Sequence, residues 1–460
     1  MSARVVSAIL FYPRGGSSHV ARALARGLRA EGFSVTLVSG SLSQLGDDGD
    51  ARSFYGDVRP VQFDPALATD APLRYEGPAG TAPMHPSFED RPGASDVVFA
   101  ALDDADFERQ VRAWARELER AGAPDADLLH LHHLTPLNEA AARVAPDVPV
   151  IGQLHGTELS MLEQIAAGPP PGWTHATRWV ERMREWAHRC SRLIVAPGGE
   201  QRAVTALGVP RGRLVSLPNG VDIERFRRRP IDRGRFWRRV LSEAPRGWLP
   251  GRPPGSVRYD PADVAELART VVLLYVGRFT AVKRLDRLIG AFATARPRMA
   301  APAALVLLGG HPGEWEHEHP ADLVVAGHVA DVYLAGWYAH ESLPEFFSAS
   351  DAVLTASERE QFGLTLIEGM ACGIPAVAAR SLGPELIIDP GRTGWLADSE
   401  AQLAESLIEV VNDPAERTRR GAAAKEAVGE RFSWPSVAGR LAAVMDDVLA
   451  GATAPPAGEA

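Results

Sequence analysis

The chain predicts an α/β protein built from two doubly wound, mostly parallel sheets, and three observations carry that expectation. Strand-length apolar runs alternate with helix-length amphipathic ones from the first residues onward. The alternation breaks off in a stretch rich in Arg, Pro and Trp and then restarts at "TVVLLYVGRF". At 460 residues the chain is also too long for one typical core, so two or three domains are expected.

The opening is a βαβ unit. "RVVSAILFY" reads as a buried strand, "GGSSHVARALARGLRAEG" as a helix bounded by glycines, and "FSVTLVSG" as the next strand. In that helix Val20, Ala21, Leu24, Ala25 and Leu28 form an apolar stripe while Arg22, Arg26 and Arg29 point elsewhere. From Ser41 to Ser95 the pattern weakens, and a long loop region with one short strand is expected. Regularity returns with the helix "ADFERQVRAWARELERAG", the strand "DLLHLHH", the helix "LNEAAARVA" and the strand "PVIGQLHG". A helix near Trp179 to Arg189, the strand "RLIVAPG", a helix or turn from Glu200 and the strand "RLVSLPNGVD" complete a first Rossmann-like domain over residues 1–224.

Residues 227–268 read as linker plus insertion, and the Arg cluster there (Arg225, Arg227, Arg228, Arg229, Arg233, Arg235, Arg238, Arg239) as a solvated face. A second Rossmann-like domain over 225–431 then runs through "TVVLLYVGRF", "KRLDRLIGAFATA", "AALVLLGG", "DVYLAG", "ESLPEFFSA", "DAVLTAS", "LTLIEGMACG", "PAVAA" and "GRTGWLA". Residues 432–451 form one amphipathic helix, and 452–460 read as a disordered tail.

Composition excludes several classes. A net charge of -9 offers no positive field for nucleic acid. Cys190 and Cys372 stand far apart, which fits a reducing cytosol and neither a disulfide framework nor a cysteine metal site. "MSARVVSAILFYPRGG" lacks a cleavage site and runs into a glycine turn, so no signal peptide is expected. No apolar run reaches the ~18 residues of a spanning helix. A cytoplasmic setting is expected, with a peripheral place at the inner membrane face left open.

Chemistry should sit just after strands, because doubly wound sheets bind ligands at their strand carboxyl ends. Arg278 leaves the end of "LLYVG" and Lys283 follows at a helix start, a pairing that suits a diphosphate. In "EREQFGLTLIEGM", Gly363 permits close backbone approach and Leu364, Ile367 and Ala371 mark a helix beginning there. Glu360 precedes that helix and Glu368 lies about five residues inside it, a rise of ~7.5 Å. That separation alone also suits an inverting glycosidase pair, at ~6.5–9.5 Å. The convergence of Arg278, Lys283 and a helix N-terminus favours two hydroxyl ligands of one phosphate-bearing molecule instead. Glu358 keeps a surface reading.

Other tempting features receive plainer expectations. "HPGEWEHEHP", with His311, His317 and His319, is read as a solvated loop rather than a metal site. In "HLHH", His130 and His132 share a face and pack, whereas His133 at the strand end is the acceptor-side candidate. "DDAD" (Asp103 to Asp106) and "DAD" (Asp125 to Asp127) mimic a metal-binding DxD but read as a cap and a turn.

The segments "GG…HVARALARGLRAEGFSVTLVSG", "LHGTEL", "PNGVD…F", "YVGRFTAVKR", "LVLLGG", "EREQFGLTLIEGMACGIPAVA" and "GRTGWL" together resemble retaining glycosyltransferase family 4. The most specific is E-x7-E with a following G-x-P turn: Glu360, Glu368, Gly373 and Pro375. The resemblance implies the GT-B fold, two Rossmann-like domains facing across a cleft with the C-terminal helix crossing back to the first. It implies that Arg278 and Lys283 hold the donor diphosphate in place of a metal, so neither metal nor cofactor is expected. Glu368 then matches the ribose ligand, Glu360 the ligand of the donor sugar, and Phe362, Gly363, Leu364 and Thr365 the turn beside sugar and phosphate.

His155 in "LHGTEL" matches the histidine beside the transferred sugar, and Gly15 with Gly16 the first loop under phosphate and acceptor. The sequence departs from the family at Gln361, often glycine, and at Gly369, often alanine; neither change removes a charge. The expected activity is front-face, retaining transfer of a hexose-type sugar from a UDP- or GDP-sugar to a small-molecule, glycan or lipid-linked acceptor. The alternatives are an inactive nucleotide-sugar-binding protein and a related epimerase or phosphorylase. A dinucleotide oxidoreductase would need GxGxxG, which "PRGGSSHVA" does not supply.

Overall fold

The computed structural model describes residues 2–13, 15–89, 97–360 and 362–451. The chain divides into two compact units, Met1–Pro218 with Val437–Ala460, and Asn219–Ser436. The expected tail disorder over 452–460, the Gln361 departure and the last residues of the 41–95 region lie outside the described residues.

Among the described residues the first unit holds seven strands: β1 (Arg4–Ile9), β2 (Ser34–Ser41), β3 (Arg59–Gln62), β4 (Leu128–His132), β5 (Val150–Gln153), β6 (Arg192–Val195) and β7 (Leu214–Ser216). Their order is β3-β2-β1-β4-β5-β6-β7, every pairing parallel. The second unit holds β8 (Val271–Gly277), β9 (Ala303–Gly309), β10 (Val332–Gly336), β11 (Ala352–Thr355), β12 (Ala376–Ala379) and β13 (Gly394–Ala397). Their order, β10-β9-β8-β11-β12-β13, repeats the first sheet's winding, again all parallel. Strand order therefore reverses beside β1 and β4 in one unit and beside β8 and β11 in the other. In doubly wound folds such switch points open the crevice that receives ligands.

The apolar runs read as strands are strands because helices cover both faces of each sheet, which favours continuous Val, Leu and Ala over alternation. Leu273, Leu274 and Tyr275 of β8 and Val353 and Leu354 of β11 are all buried. The helix Trp434–Leu449 buries Val437, Ala438, Leu441, Ala442 and Met445.

Three expectations are corrected. The stretch over 227–268 is not a bare linker, although Arg227, Arg228, Arg229, Arg235, Arg238 and Arg239 are exposed, as expected of a solvated face. It forms the helix Arg233–Arg238 and the helix Pro261–Ala265, and buries Phe236, Trp237, Val240, Leu241, Val264 and Leu267 in the core of the second unit. Its arginines are partly engaged as well, Arg233 gripping Asp351 at 2.7 and 3.2 Å. Aromatic and aliphatic residues between the cations drive that packing, which a count of charges hides.

The 41–95 region is more regular than a loop. Its described residues carry β3 at the sheet edge, the short strand expected there, and also the helix Ala51–Tyr55, whose N-cap Asp50 accepts from Ser53 N–H at 2.8 Å. Helices also occupy Thr157–Ala167, Pro320–Ala326, Glu400–Asn412 and Pro414–Phe432, stretches that the sequence reading does not assign.

"HPGEWEHEHP" is the third correction, because only part of it is solvated. His311 is exposed, whereas His319 is 1% exposed, caps the helix Pro320–Ala326 and packs against Trp248 and Phe279. Among the described residues no group of His, Cys, Asp and Glu is arranged to hold a metal ion. Asp103 is a helix cap, accepting from Asp106 N–H at 2.7 Å, and Asp127 accepts from Arg4 N–H at 2.7 Å.

Candidate active site

In the second unit the predicted residues gather at the β8 and β11 strand ends. Tyr275, buried in β8, donates its hydroxyl hydrogen to the Arg278 carbonyl at 2.7 Å. Burial, and then the Glu360 charge, push this phenol's pKa up, so it stays a neutral donor. A side chain at Gly277 would meet that hydroxyl at 2.6 Å, so only glycine lets the tyrosine reach across. The turn is thus clamped from below, and Arg278 itself is exposed.

Residues 77 positions apart meet because β8 and β11 are neighbours. The Val282 carbonyl accepts from Glu358 N–H at 3.1 Å and from the Ser357 hydroxyl at 3.0 Å, tying the two loops together. Lys283 Nζ then donates to Glu360 Oε2 at 2.6 Å, with the side chains 23% and 16% exposed. Glu358 is more than a bare surface charge, since it pairs with Arg284 and with Arg287 at 3.1 Å.

Gly363 takes φ 99° and caps the helix Leu364–Ala371, as the sequence predicts. The N–H groups of Leu366 and Ile367 donate to the Gly363 carbonyl at 3.0 and 3.3 Å, which leaves those of Leu364 and Thr365 at the helix start to meet an anion. Phe362 is buried and backs the turn, while Leu364 and Thr365 are half-buried at the helix start. Gly383, which the motif reading passes over, supports the same turn. Its N–H donates to the Glu360 carbonyl at 2.8 Å, and a Cβ there would lie 2.2 Å from the Phe362 carbonyl oxygen.

Glu368 is buried, and its Oε1 accepts from His340 Nε2 at 2.6 Å. Sequence reasoning missed His340; the usable signal was its place on the segment after β10. Gly369 lies under β11, and a Cβ in its place would approach Val353 Cγ1 to 2.7 Å. Its departure from the family is therefore matched to a β-branched neighbour.

In the first unit Gly15 opens the helix Gly15–Ala30 at φ 67°, and neither Gly15 nor Gly16 has an atom within 4 Å of where a Cβ would stand. That exposed turn follows β1, at the switch point. His155, after β5, is half-buried, and its Nε2 lies 3.1 Å from Nδ1 of His132. Burial, with the neighbouring His133 and His130, holds the His155 imidazole well below its usual pKa, so the ring is neutral near pH 7.

The buried Nε2 of His132 has no hydrogen-bond partner among the described residues. An orphaned buried N–H is worse than an orphaned lone pair, so the His132 proton belongs on Nδ1, donating to His155 Nε2. His155 then carries its own hydrogen on Nδ1, as a donor.

His133, the acceptor-side candidate, is 4% exposed, adopts φ 66° and contacts Glu158 Oε1 through Nδ1 at 2.6 Å. Glu158, also missed by the sequence reading, accepts from His155 N–H at 3.1 Å too. His133 and Glu158 therefore brace the His155 turn, and the burial of His133 leaves it little surface for an acceptor. His130 and His132 are packed in the sheet as expected.

Comparisons with known proteins bear on the family and the fold. The family described as Glycosyltransferase Family 4 matches residues 14–225, and Glycosyl transferases group 1 matches residues 261–427. The chain is 24% identical over 338 residues to N-acetyl-alpha-D-glucosaminyl L-malate synthase of Bacillus anthracis, covering 72% of this chain and 77% of that protein. It is 30% identical over 312 residues to D-inositol 3-phosphate glycosyltransferase of Kineococcus radiotolerans, covering 64% of each. A GDP-mannose-dependent phosphatidylinositol monomannoside mannosyltransferase of Mycobacterium tuberculosis is 28% identical over 55% of this chain and 69% of its own length.

Among solved structures, sucrose-phosphate synthase from Thermosynechococcus elongatus aligns over 98% of this chain and 100% of its own, with TM-score 0.62 and 18% identity. Anabaena HepE in complex with UDP-glucose aligns over 96% and 99%, with TM-score 0.62 and 15% identity. At such identities the structures speak for the fold. The two family matches take in most of both sheets, and the E-x7-E glutamates stand at the strand ends where the fold receives ligands, so the chain belongs to the GT-B glycosyltransferases of family 4.

Proposed function

We propose that this glycosyltransferase moves a hexose-type sugar, with retention and without a metal, from a nucleotide-diphosphate sugar to an acceptor hydroxyl. The observation that carries the reading is the Lys283–Glu360 contact beside the N-terminus of the Leu364–Ala371 helix. It joins a cation suited to a β-phosphate, a carboxylate suited to sugar hydroxyls and a set of free amides. Glu368, deeper in the same helix, takes the ribose; in the first unit, His155 is a neutral imidazole whose N–H suits a sugar hydroxyl.

In a front-face reaction the acceptor oxygen bonds to the anomeric carbon on the side from which the nucleotide diphosphate leaves. The bond from that carbon to the β-phosphate oxygen breaks, and the acceptor proton passes to the departing phosphate. Arg278, Lys283 and the amides of Phe362, Gly363 and Leu364 then offset the charge that develops there, the kind of electrostatic contribution that dominates many enzymes. No side-chain base is needed.

UDP and GDP are the first donors to test, because HepE is a structural neighbour in complex with UDP-glucose and the Mycobacterium tuberculosis relative is GDP-mannose-dependent. The relatives' names include L-malate and inositol 3-phosphate, so hydroxyl-bearing anions head the acceptor panel. No helix among the described residues is long and apolar enough to cross a membrane, and both cysteines are free and buried, which suits a cytoplasmic enzyme. The deciding experiment assays UDP-, GDP-, ADP- and TDP-sugars for thermal stabilisation and for hydrolysis in EDTA, with wild type and Glu368→Ala. A preferred donor that loses its hold in the variant supports the reading. Binding of none of them, or turnover that EDTA abolishes, overturns it.

A further inference from the structure

Glu368 is placed by more than its helix. His340 begins a short 3-10 turn, His340–Ser342, on the segment that follows β10, and reaches across to it from 28 positions earlier in the chain. The Glu368 side chain is 7% exposed and the imidazole 35%, so the contact runs from the buried carboxylate toward the surface. The ring rests on Phe226, with centroids 5.2 Å apart, and Phe226 is itself buried in the core of the second unit. An ionised carboxylate only accepts, so Nε2 of His340 must carry the hydrogen. This charge-assisted bond occupies Oε1, sets the plane of the carboxyl group and leaves Oε2 as the oxygen available to a ligand hydroxyl.

We propose that His340 is a positioning residue that aims Glu368 at the ribose, and that discrimination between ribo- and 2′-deoxyribonucleoside diphosphates depends on it. The inference rests on the reading of Glu368 as the ribose ligand. Without His340 the carboxylate is free to rotate and to solvate, and the ribose 2′-hydroxyl gains less from it. A role confined to neutralising a buried charge would weaken folding while leaving the ratio of the two affinities unchanged, so that ratio separates the two roles.

The test titrates the full chain calorimetrically with UDP, 2′-deoxy-UDP, GDP and 2′-deoxy-GDP. Wild type is expected to prefer the better ribonucleotide by about tenfold, the equivalent of one good hydrogen bond. Glu368→Ala should erase the preference, His340→Ala should cut it to about threefold or less, and His340→Gln, whose amide can still donate, should keep most of it. His340→Phe, which fills the place over Phe226 without donating, gives the same readout should the alanine variant not fold. A wild-type ratio in both His340→Ala and His340→Phe, with the ratio lost in Glu368→Ala, overturns the positioning role alone. An undiminished ratio in Glu368→Ala overturns the ribose reading and this inference with it, as does failure of both ribonucleotides to bind wild type.

Discussion

Replacing Lys283 by methionine removes the cation and keeps most of the side chain's volume. In the free protein Glu360, 16% exposed, then loses its partner at 2.6 Å. For a half-buried, partly screened pair the loss of stability should be about 1–2 kcal/mol, below the value for a fully buried one. For a unit of this size that lowers Tm by about 2–8 °C. Catalysis should suffer more, because in the proposed reaction the same ammonium offsets the charge that grows on the leaving β-phosphate. An electrostatic contact of that kind is worth roughly 3–4 kcal/mol, or a fall of about 10²–10³-fold in kcat/KM.

The two effects separate in the double variant Lys283→Met/Glu360→Gln, which carries no orphaned charge. Its Tm should return to within about 2 °C of wild type, while its activity stays low. The assay is differential scanning fluorimetry with and without UDP or GDP, beside kcat/KM for the preferred donor. A Tm loss in Lys283→Met accompanied by less than about a fivefold loss in kcat/KM would refute the leaving-group role and leave Lys283 as a structural partner of Glu360.

Three further outcomes follow from the packing and the buried histidines. Gly369→Ala, which restores the family's common residue, should destabilise the second unit by about 1–3 kcal/mol in urea because of Val353, with Val353→Ala relieving it; a neutral Gly369→Ala would refute the contact. Trp237→Ala should cost about 3–5 kcal/mol, since the ring is fully buried, whereas a solvated linker would tolerate the change. His130 has its pKa lowered by burial to about 4, so between about pH 6.5 and 4 the folded state binds fewer protons than the unfolded one. Its stability contribution is therefore complete above about pH 6.5 and declines as pH falls, by about 2 kcal/mol at pH 5. Urea titrations at pH 7 and pH 5 should show that extra loss in wild type and not in His130→Gln, and equal losses would count against it.

The strands were readable because both sheets are covered on their two faces, which turns each strand into a short apolar run bounded by Gly, Pro or Asp. β8 and β9 are the plainest cases. The start of the Leu364–Ala371 helix was readable for another local reason, a glycine that permits close backbone approach ahead of helical apolar spacing; that its φ is 99° came from the structure. The stretch around Trp237 was misread because its cations dominate the composition while its aromatics do the packing. The helix Thr157–Ala167 was overlooked although Glu158 in its first turn turned out to brace His155 and His133.

By itself the sequence determined the two-sheet α/β class, the positions of Arg278, Lys283, Glu360 and Glu368 near strand and helix ends, and the likeness to one glycosyltransferase family. These are local properties, readable from apolar period, turn chemistry and motif spacing. Tertiary structure alone decided which partners those residues keep: Lys283 with Glu360 across 77 positions, His340 with Glu368 across 28, and His132 with His155 across 23. Such pairs depend on strand order, which brings β8 beside β11 and β4 beside β5. Order within a sheet is set by the packing of the whole unit, and no window of neighbouring residues encodes it.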